Sequence, residues 1–283
     1  MSIDDVLGRS VRLPIARIDE AGAWLDAGGD ARVLLPAREV PQDVREGAVL
    51  AVFVHLDSDE RPIATTREPA LTLGEVTFLE VTAVTPIGAF VDWGLGKELL
   101  VPFAEQAKEL YVGERQPIGL YVDHSGRLAG TMYVTDMLDR PPRAAALDEW
   151  IEGEAWRNDP DIGLFAILER SFVGLVPASE PHQLRRGDRV RFRVAHVLPD
   201  GKLVLSLRKH AYQEVEGDAE TILAVLSRPG APRIGDRSSP ETIRGLFGLS
   251  KKAFKRAVGR LLKDRAVVID EQGCVVVARA QNG

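Results

Sequence analysis

The sequence predicts a mainly β chain with a C-terminal α+β module: three tandem five-stranded barrels, then three helices and a two-stranded wing. Three observations carry this prediction. A glycine, an aromatic and a proline recur three times at matched spacing. Each recurrence lies among short Val-, Ile- and Leu-rich runs separated by turn signals, the pattern of small antiparallel barrels. After Lys209 the apolar period lengthens from that of strands to that of helices.

The first unit carries Ala21-Gly22-Ala23-Trp24-Leu25-Asp26, followed by Val33-Leu34-Leu35-Pro36. The second carries Ile87-Gly88-Ala89-Phe90-Val91-Asp92 and Leu99-Leu100-Val101-Pro102, and the third Ile162-Gly163-Leu164-Phe165-Ala166-Ile167 and Gly174-Leu175-Val176-Pro177. In each the aromatic precedes the proline by 12 residues, and a further glycine opens the next apolar segment at Gly47, Gly113 and Gly187. Glycine and proline move together, by 66 residues from the first unit to the second and by 75 from the second to the third. Such coincidence marks an internal repeat. A prior of about 150 residues per domain would give roughly two domains; the repeat gives four modules, 1–68, 69–142, 143–212 and 213–283.

Within the second unit, strands are expected over 75–84, 88–92, 98–102, 117–122 and 128–133, with a helical turn over 103–111 plugging the barrel end. This is the strand order of an OB fold, whose second and third strands face oligonucleotides. In the last module a helix is expected over 218–226 and a Pro/Gly-rich loop over 227–239. Ser239-Pro240-Glu241 is a strong helix start, with serine at the cap and proline at the first position; that helix ends near Gly248. Ser250 caps a third helix over 251–264, with Phe254, Ala257, Val258 and Leu261 in one sector and Lys252, Arg256 and Lys263 opposite. Strands over 266–270 and 274–277 close a hairpin, so the module is a winged helix with 251–263 as its recognition helix. Cys274 alternates with Val276 and is expected in the core.

The 283 residues include 42 acidic and 36 basic side chains, with 45% apolar and 28% charged residues, which are globular values. No run approaches the roughly 18 apolar residues of a membrane span, and the acidic start Met1-Ser2-Ile3-Asp4-Asp5 does not resemble a secretion signal. The chain reads as cytoplasmic. One cysteine excludes internal disulfides, and no Cys/His spacing suits zinc. The net charge of −6 hides a gradient: residues 1–143 carry 14 basic and 23 acidic groups, 144–212 carry 10 of each, and 213–283 carry 12 and 9. A polyanion should meet the C-terminal half, because a screened patch acts over only about 8 to 10 Å.

The motif Ile87–Asp92, then Leu99-Leu100-Val101-Pro102-Phe103-Ala104-Glu105 and Gly113, resembles the S-one type of OB fold. Three such units before a basic winged helix resemble the conserved virulence factor B family (CvfB, also called YitL), bacterial proteins of that architecture. The resemblance covers essentially the whole chain. It implies post-transcriptional regulation of gene expression, including virulence traits in pathogens, and a platform of two aromatics and a histidine that stacks unpaired bases. Only the middle ring is kept, as Trp24, Phe90 and Phe165. Ala21, Ile87 and Ile162 replace the first ring, and Pro36, Pro102 and Pro177 the histidine.

Stacking on such rings contributes about 1 to 3 kcal/mol per base; the alternative is that they cap the barrel face or fill an interdomain contact. Residues 170–209 carry nine basic and three acidic groups, among them Arg185, Arg186, Arg189, Arg191, Arg193, Lys202, Arg208 and Lys209. Arg189, Arg191 and Arg193 alternate with Val190, Phe192 and Val194, so they share one face of a strand. Plain solvation is the competing explanation. Between Arg244 and Arg265 stand eight basic groups and one acid, including Lys251, Lys252, Lys255, Arg256 and Lys263, dense enough for phosphate contact, though winged helices also pack against proteins.

No catalytic constellation emerges. His55, His124, His182, His196 and His210 are scattered, Asp57–Glu60 lacks the rest of a calcium loop, and Gly94-Leu95-Gly96-Lys97 lacks the spacing of a phosphate loop. No cofactor or metal is expected. The expected function is nonenzymatic binding of single-stranded RNA through the third barrel and winged helix, with the acidic N-terminal half as scaffold or protein-partner surface. A duplex-DNA-binding transcription regulator and a protein-interaction scaffold are the alternatives.

Overall fold

A computed structural model describes residues 2–138, 144–208, 211–228 and 230–278, without the side chains of 211–216. Lys209, His210 and the expected boundary at 142/143 lie outside the described residues. The chain forms two compact units, Met1–Leu207 and Arg208–Gly283.

The first unit contains three five-stranded sheets. A short helix α1 (Ile3–Val6) precedes β1 (Ser10–Asp19), β2 (Gly22–Gly28), β3 (Ala31–Pro36), β4 (Val49–Leu56) and β5 (Pro62–Thr65). The second sheet comprises β6 (Val76–Thr85), β7 (Gly88–Asp92), β8 (Leu99–Pro102), β9 (Arg115–Val122) and β10 (Leu128–Thr131), and the third β11 (Trp150–Asp159), β12 (Gly163–Leu168), β13 (Phe172–Pro177), β14 (Arg189–Val197) and β15 (Leu203–Ser206). The first and third sheets close as 1-2-3-5-4 barrels, and the second follows the same cyclic order with its ladder open between β8 and β10. This is the OB-fold order.

Each barrel is built by period-2 burial. In β2, β7 and β12 the residues flanking the aromatic, Ala23 and Leu25, Ala89 and Val91, Leu164 and Ala166, are buried, so the ring itself stands on the outer face. The opening glycines Gly22, Gly88 and Gly163 have φ of 140°, 147° and 132°. A Cβ there would lie 2.0 to 2.3 Å from a carbonyl oxygen of the third strand, so the recurring glycine is a steric requirement of the corner.

The helical turn expected over 103–111 is present but confined to a 3-10 turn, Phe103–Glu105. The side-chain amide of Gln106 turns back to donate to the Val101 carbonyl at 2.9 Å, and Leu110 is drawn into the core, so no helix continues past this turn.

The barrels are joined by packed seams. Phe53 of β4 enters the core of the second barrel and meets Trp93 edge-on at 5.7 Å. Between the second and third barrels, Val76, Phe78, Val134, Leu138 and Ile167 bury one another. The buried Glu154 carboxylate accepts from the Thr77 hydroxyl at 2.7 Å and the Phe78 N–H at 3.1 Å, with Arg115 at 3.7 Å.

The second unit holds α2 (Ala211–Leu226), α3 (Pro240–Phe247), α4 (Lys251–Lys263), β16 (Val267–Ile269) and β17 (Val275–Val277), a winged-helix arrangement. Ser239 accepts from Thr242 N–H and Ser250 from Ala253 N–H, as their sequence positions predict. Helix α2 starts seven residues before the expected position. Ile222, Ile234, Ile243, Phe247, Phe254, Ala257 and Leu261 form the core. Cys274 is half-buried, contrary to expectation: Val275 is the inward residue of that strand, and the Cys274 N–H is tied to the turn carboxylate of Asp270. No described helix is long and apolar enough to cross a membrane.

Candidate nucleic-acid interface

The bulge in the first strand of each barrel decides what faces the half-buried ring on the outer face. Irregular register at Ile15/Arg17, Val81/Ala83 and Ala155/Arg157 places Arg17 opposite Trp24, Ala83 opposite Phe90, and Arg157 opposite Phe165. In the first and third barrels a guanidinium therefore lies over the ring, at 5.6 Å from Trp24 and 4.6 Å from Phe165. Each such contact contributes about 0.5 to 2 kcal/mol.

The three platforms differ in what else reaches them. Trp24 donates its indole N–H to Asp19 at 2.8 Å, and Asp19 also binds Arg17 at 2.8 Å, so that site is closed by its own carboxylate. Phe90 lines a groove with Glu60, Glu98, Asp123, Lys97 and Arg127; Arg127 is already paired with Glu60 at 2.8 Å and Asp123 at 3.5 Å. Phe165 opens onto a groove of about 660 Å³ lined by Trp156, Arg157, Leu175, Leu198 and Lys202. There the Arg157 guanidinium lies over both Phe165 and Trp156, 5.3 Å from the latter.

The arginine run of the third barrel is dispersed rather than gathered. Arg193 is largely covered and paired with Asp148. Arg189 meets Glu152 at 3.1 Å, and the register of β14 on β11 sets Glu152 opposite Arg191 and Glu154 opposite Arg189. The strand itself has no acid, but its neighbour supplies them. Arg186 is partly exposed but tied into the seam with the second barrel: it lies over Phe78 at 5.4 Å and donates to Gln116 at 2.7 Å. Burial there pushes its guanidinium pKa down. Arg185 and Arg191 remain exposed without an ion pair. Lys202 reaches the Phe165 groove, held by Asp200 at 3.0 Å; none of the five arginines lines it.

On α4, Lys251 donates to the Ser238 carbonyl at 3.0 Å and Lys255 pairs with Asp236 at 2.6 Å. Lys252, Arg256 and Lys263 are exposed without an ion pair. Sequence reasoning missed Arg157 and the stacking of Arg17 on Trp24. Their signal is positional, since Arg17, Ala83 and Arg157 stand seven, seven and eight residues before the aromatic.

Models described as an S1 domain match residues 7–67 and 73–133, and one described as a CvfB-like winged helix domain matches residues 220–275. The chain is 31% identical over 274 residues to YitL of Bacillus subtilis, covering 92% of this chain and 90% of that protein. To conserved virulence factor B of Staphylococcus epidermidis it is 28% identical over 283 residues, covering 95% of both. A crystal structure described as a multidomain protein with nucleic acid binding domains from Streptococcus pneumoniae is 26% identical, covering 96% of this chain and 99% of that one, with a TM-score of 0.43.

Proposed function

Because the chain belongs to the conserved virulence factor B family, we propose that it is a nonenzymatic cytoplasmic protein that binds single-stranded RNA and regulates gene expression after transcription. Its S1 and winged-helix domains are of nucleic-acid-binding type. The observation that carries the RNA reading is the open groove in which Phe165 lies under Arg157 with Lys202 at its edge. An unpaired base offers a π-face to such a ring and guanidinium, while a duplex keeps its bases stacked. Arg185 and Arg191 on the third barrel, and Lys252, Arg256 and Lys263 on α4, supply further phosphate contacts. Tethering two modest sites on one chain raises the overall affinity.

Trp24 and Phe90 contribute less, the first closed by Asp19 and the second framed by carboxylates; the acidic first two barrels serve as scaffold or protein-partner surface. A second reading, duplex DNA held by α4, is favoured by its unpaired cations at the recognition-helix position. Fluorescence anisotropy of a labelled single-stranded RNA at low salt tests the choice. Phe165→Ala with Arg157→Ala should weaken binding by about 1 to 3 kcal/mol. Unchanged affinity removes the groove from the interface, and preferential competition by duplex DNA favours the second reading over RNA.

A further inference from the structure

The acidic half of the chain holds a second basic feature, a cleft that shares Lys97 with the Phe90 groove. Residues 2–138 contain twelve Arg and Lys side chains. Arg17, Arg32, Arg61, Lys108, Arg115 and Arg127 each have a carboxylate within 3.7 Å. Of the other six, Arg38, Arg67 and Lys97 converge on one cleft of about 350 Å³ between the first and second barrels.

The cleft is built from both barrels. Arg38 follows the end of β3, Arg67 follows β5, and Lys97 comes from the β7–β8 loop of the second barrel. The Lys97 ammonium is held by a neutral acceptor, the Asp57 carbonyl at 2.8 Å, which leaves two of its three N–H donors unused. Arg67 has no ion pair, and Arg38 has only Glu39 at 3.9 Å. The two carboxylates of the cleft take their hydrogen bonds from other groups, although Glu39 also feels the charge of Arg38 and Arg67. Glu39 Oε2 accepts from the Thr65 hydroxyl at 2.5 Å and from Thr66 N–H at 3.0 Å. Asp57 accepts from the N–H groups of Asp59 and Arg61 and from the Arg61 guanidinium, each at 2.9 Å. Trp24 is not part of the lining.

Two guanidinium forks and one ammonium around a concave site suit a tetrahedral polyanion better than a single carboxylate, because the forks can bind several oxygens at once. The volume lies at the lower end of small-molecule sites, about 300 to 1,000 Å³. We propose that this inter-barrel cleft binds a phosphate-bearing ligand through Arg38, Arg67 and Lys97. The inference does not depend on RNA binding by the third barrel.

Isothermal titration of the full-length protein with inorganic pyrophosphate at low salt tests it. Saturable binding to the wild type is expected, weakening as salt screens the cations. Arg38→Ala with Arg67→Ala should weaken it at least about tenfold, the corresponding double lysine variant by less, and Phe165→Ala not at all. Thermal melting verifies that the variants are folded. No binding by the wild type, or equal binding by the folded alanine double variant, overturns the proposal. The source of the phosphate follows from single-stranded RNA titrated into the same double variant. A parallel loss of RNA affinity assigns the cleft to backbone phosphates, and unchanged RNA affinity assigns it to a free phosphorylated molecule.

Discussion

Replacing Glu154 by alanine should unlock the seam between the second and third barrels. The carboxylate accepts from Thr77 Oγ1 at 2.7 Å and from Phe78 N at 3.1 Å in a buried setting. Truncation leaves both donors without an acceptor, at about 1 to 3 kcal/mol each. The Arg115 contact, at 3.7 Å with its side chain half exposed, adds little. A total near 3 kcal/mol is expected once some rehydration is allowed for. For a unit of this size, about 2 to 4 °C per kcal/mol converts this to a fall in Tm of about 6 to 12 °C, read by scanning calorimetry. Glu154→Gln keeps one accepting oxygen and should lose about half as much. A fall below about 2 °C for the alanine variant would refute the reasoning, since a water or a shifted side chain would then satisfy both donors at negligible cost.

Other perturbations separate packing from binding. Arg186→Ala should lower Tm while leaving RNA affinity unchanged, whereas Arg191→Ala should do the reverse; the opposite pattern in paired melting and anisotropy measurements would contradict the placement of these side chains. Gly163→Ala puts a Cβ 2.0 Å from the Val176 carbonyl oxygen at a φ of 132°, and should destabilise by about 3 kcal/mol; an unchanged urea midpoint would count against the corner geometry. Burial opposes ionisation of Glu39, but the Thr65 hydroxyl and Thr66 N–H, with Arg67 and Arg38, outweigh it and hold its carboxyl below the ordinary value of 4.5. A depressed pKa stabilises the fold above the unfolded value, and that contribution is lost as pH falls through the folded value. Tm should thus drop more steeply below pH 4.5 in the wild type than in Glu39→Gln, and parallel curves would exclude the linkage.

Much of the architecture is readable from local rules. Gly22, Gly88 and Gly163 recur because the corner between first and second strands leaves no space for a Cβ, and a steric demand of that kind repeats whenever the fold repeats. The winged-helix caps are legible for the same reason, since Ser239 and Ser250 bond to N–H groups three residues away. The interface is less legible. A run of arginines on one strand reads as a positive stripe, yet Glu152, Asp148 and Phe78, which absorb Arg189, Arg193 and Arg186, lie on other strands or in another barrel.

The sequence by itself determined the three barrels, the winged helix and the placing of Trp24, Phe90 and Phe165 on the outer face, because alternation, capping and turn chemistry act within a few residues. Only the tertiary structure decided which cations face solvent and which ring is open. Each cation is partnered by whatever strand register and interbarrel packing bring alongside, a carboxylate 37 residues away for Arg189 and a neutral amide 70 residues away for Arg186.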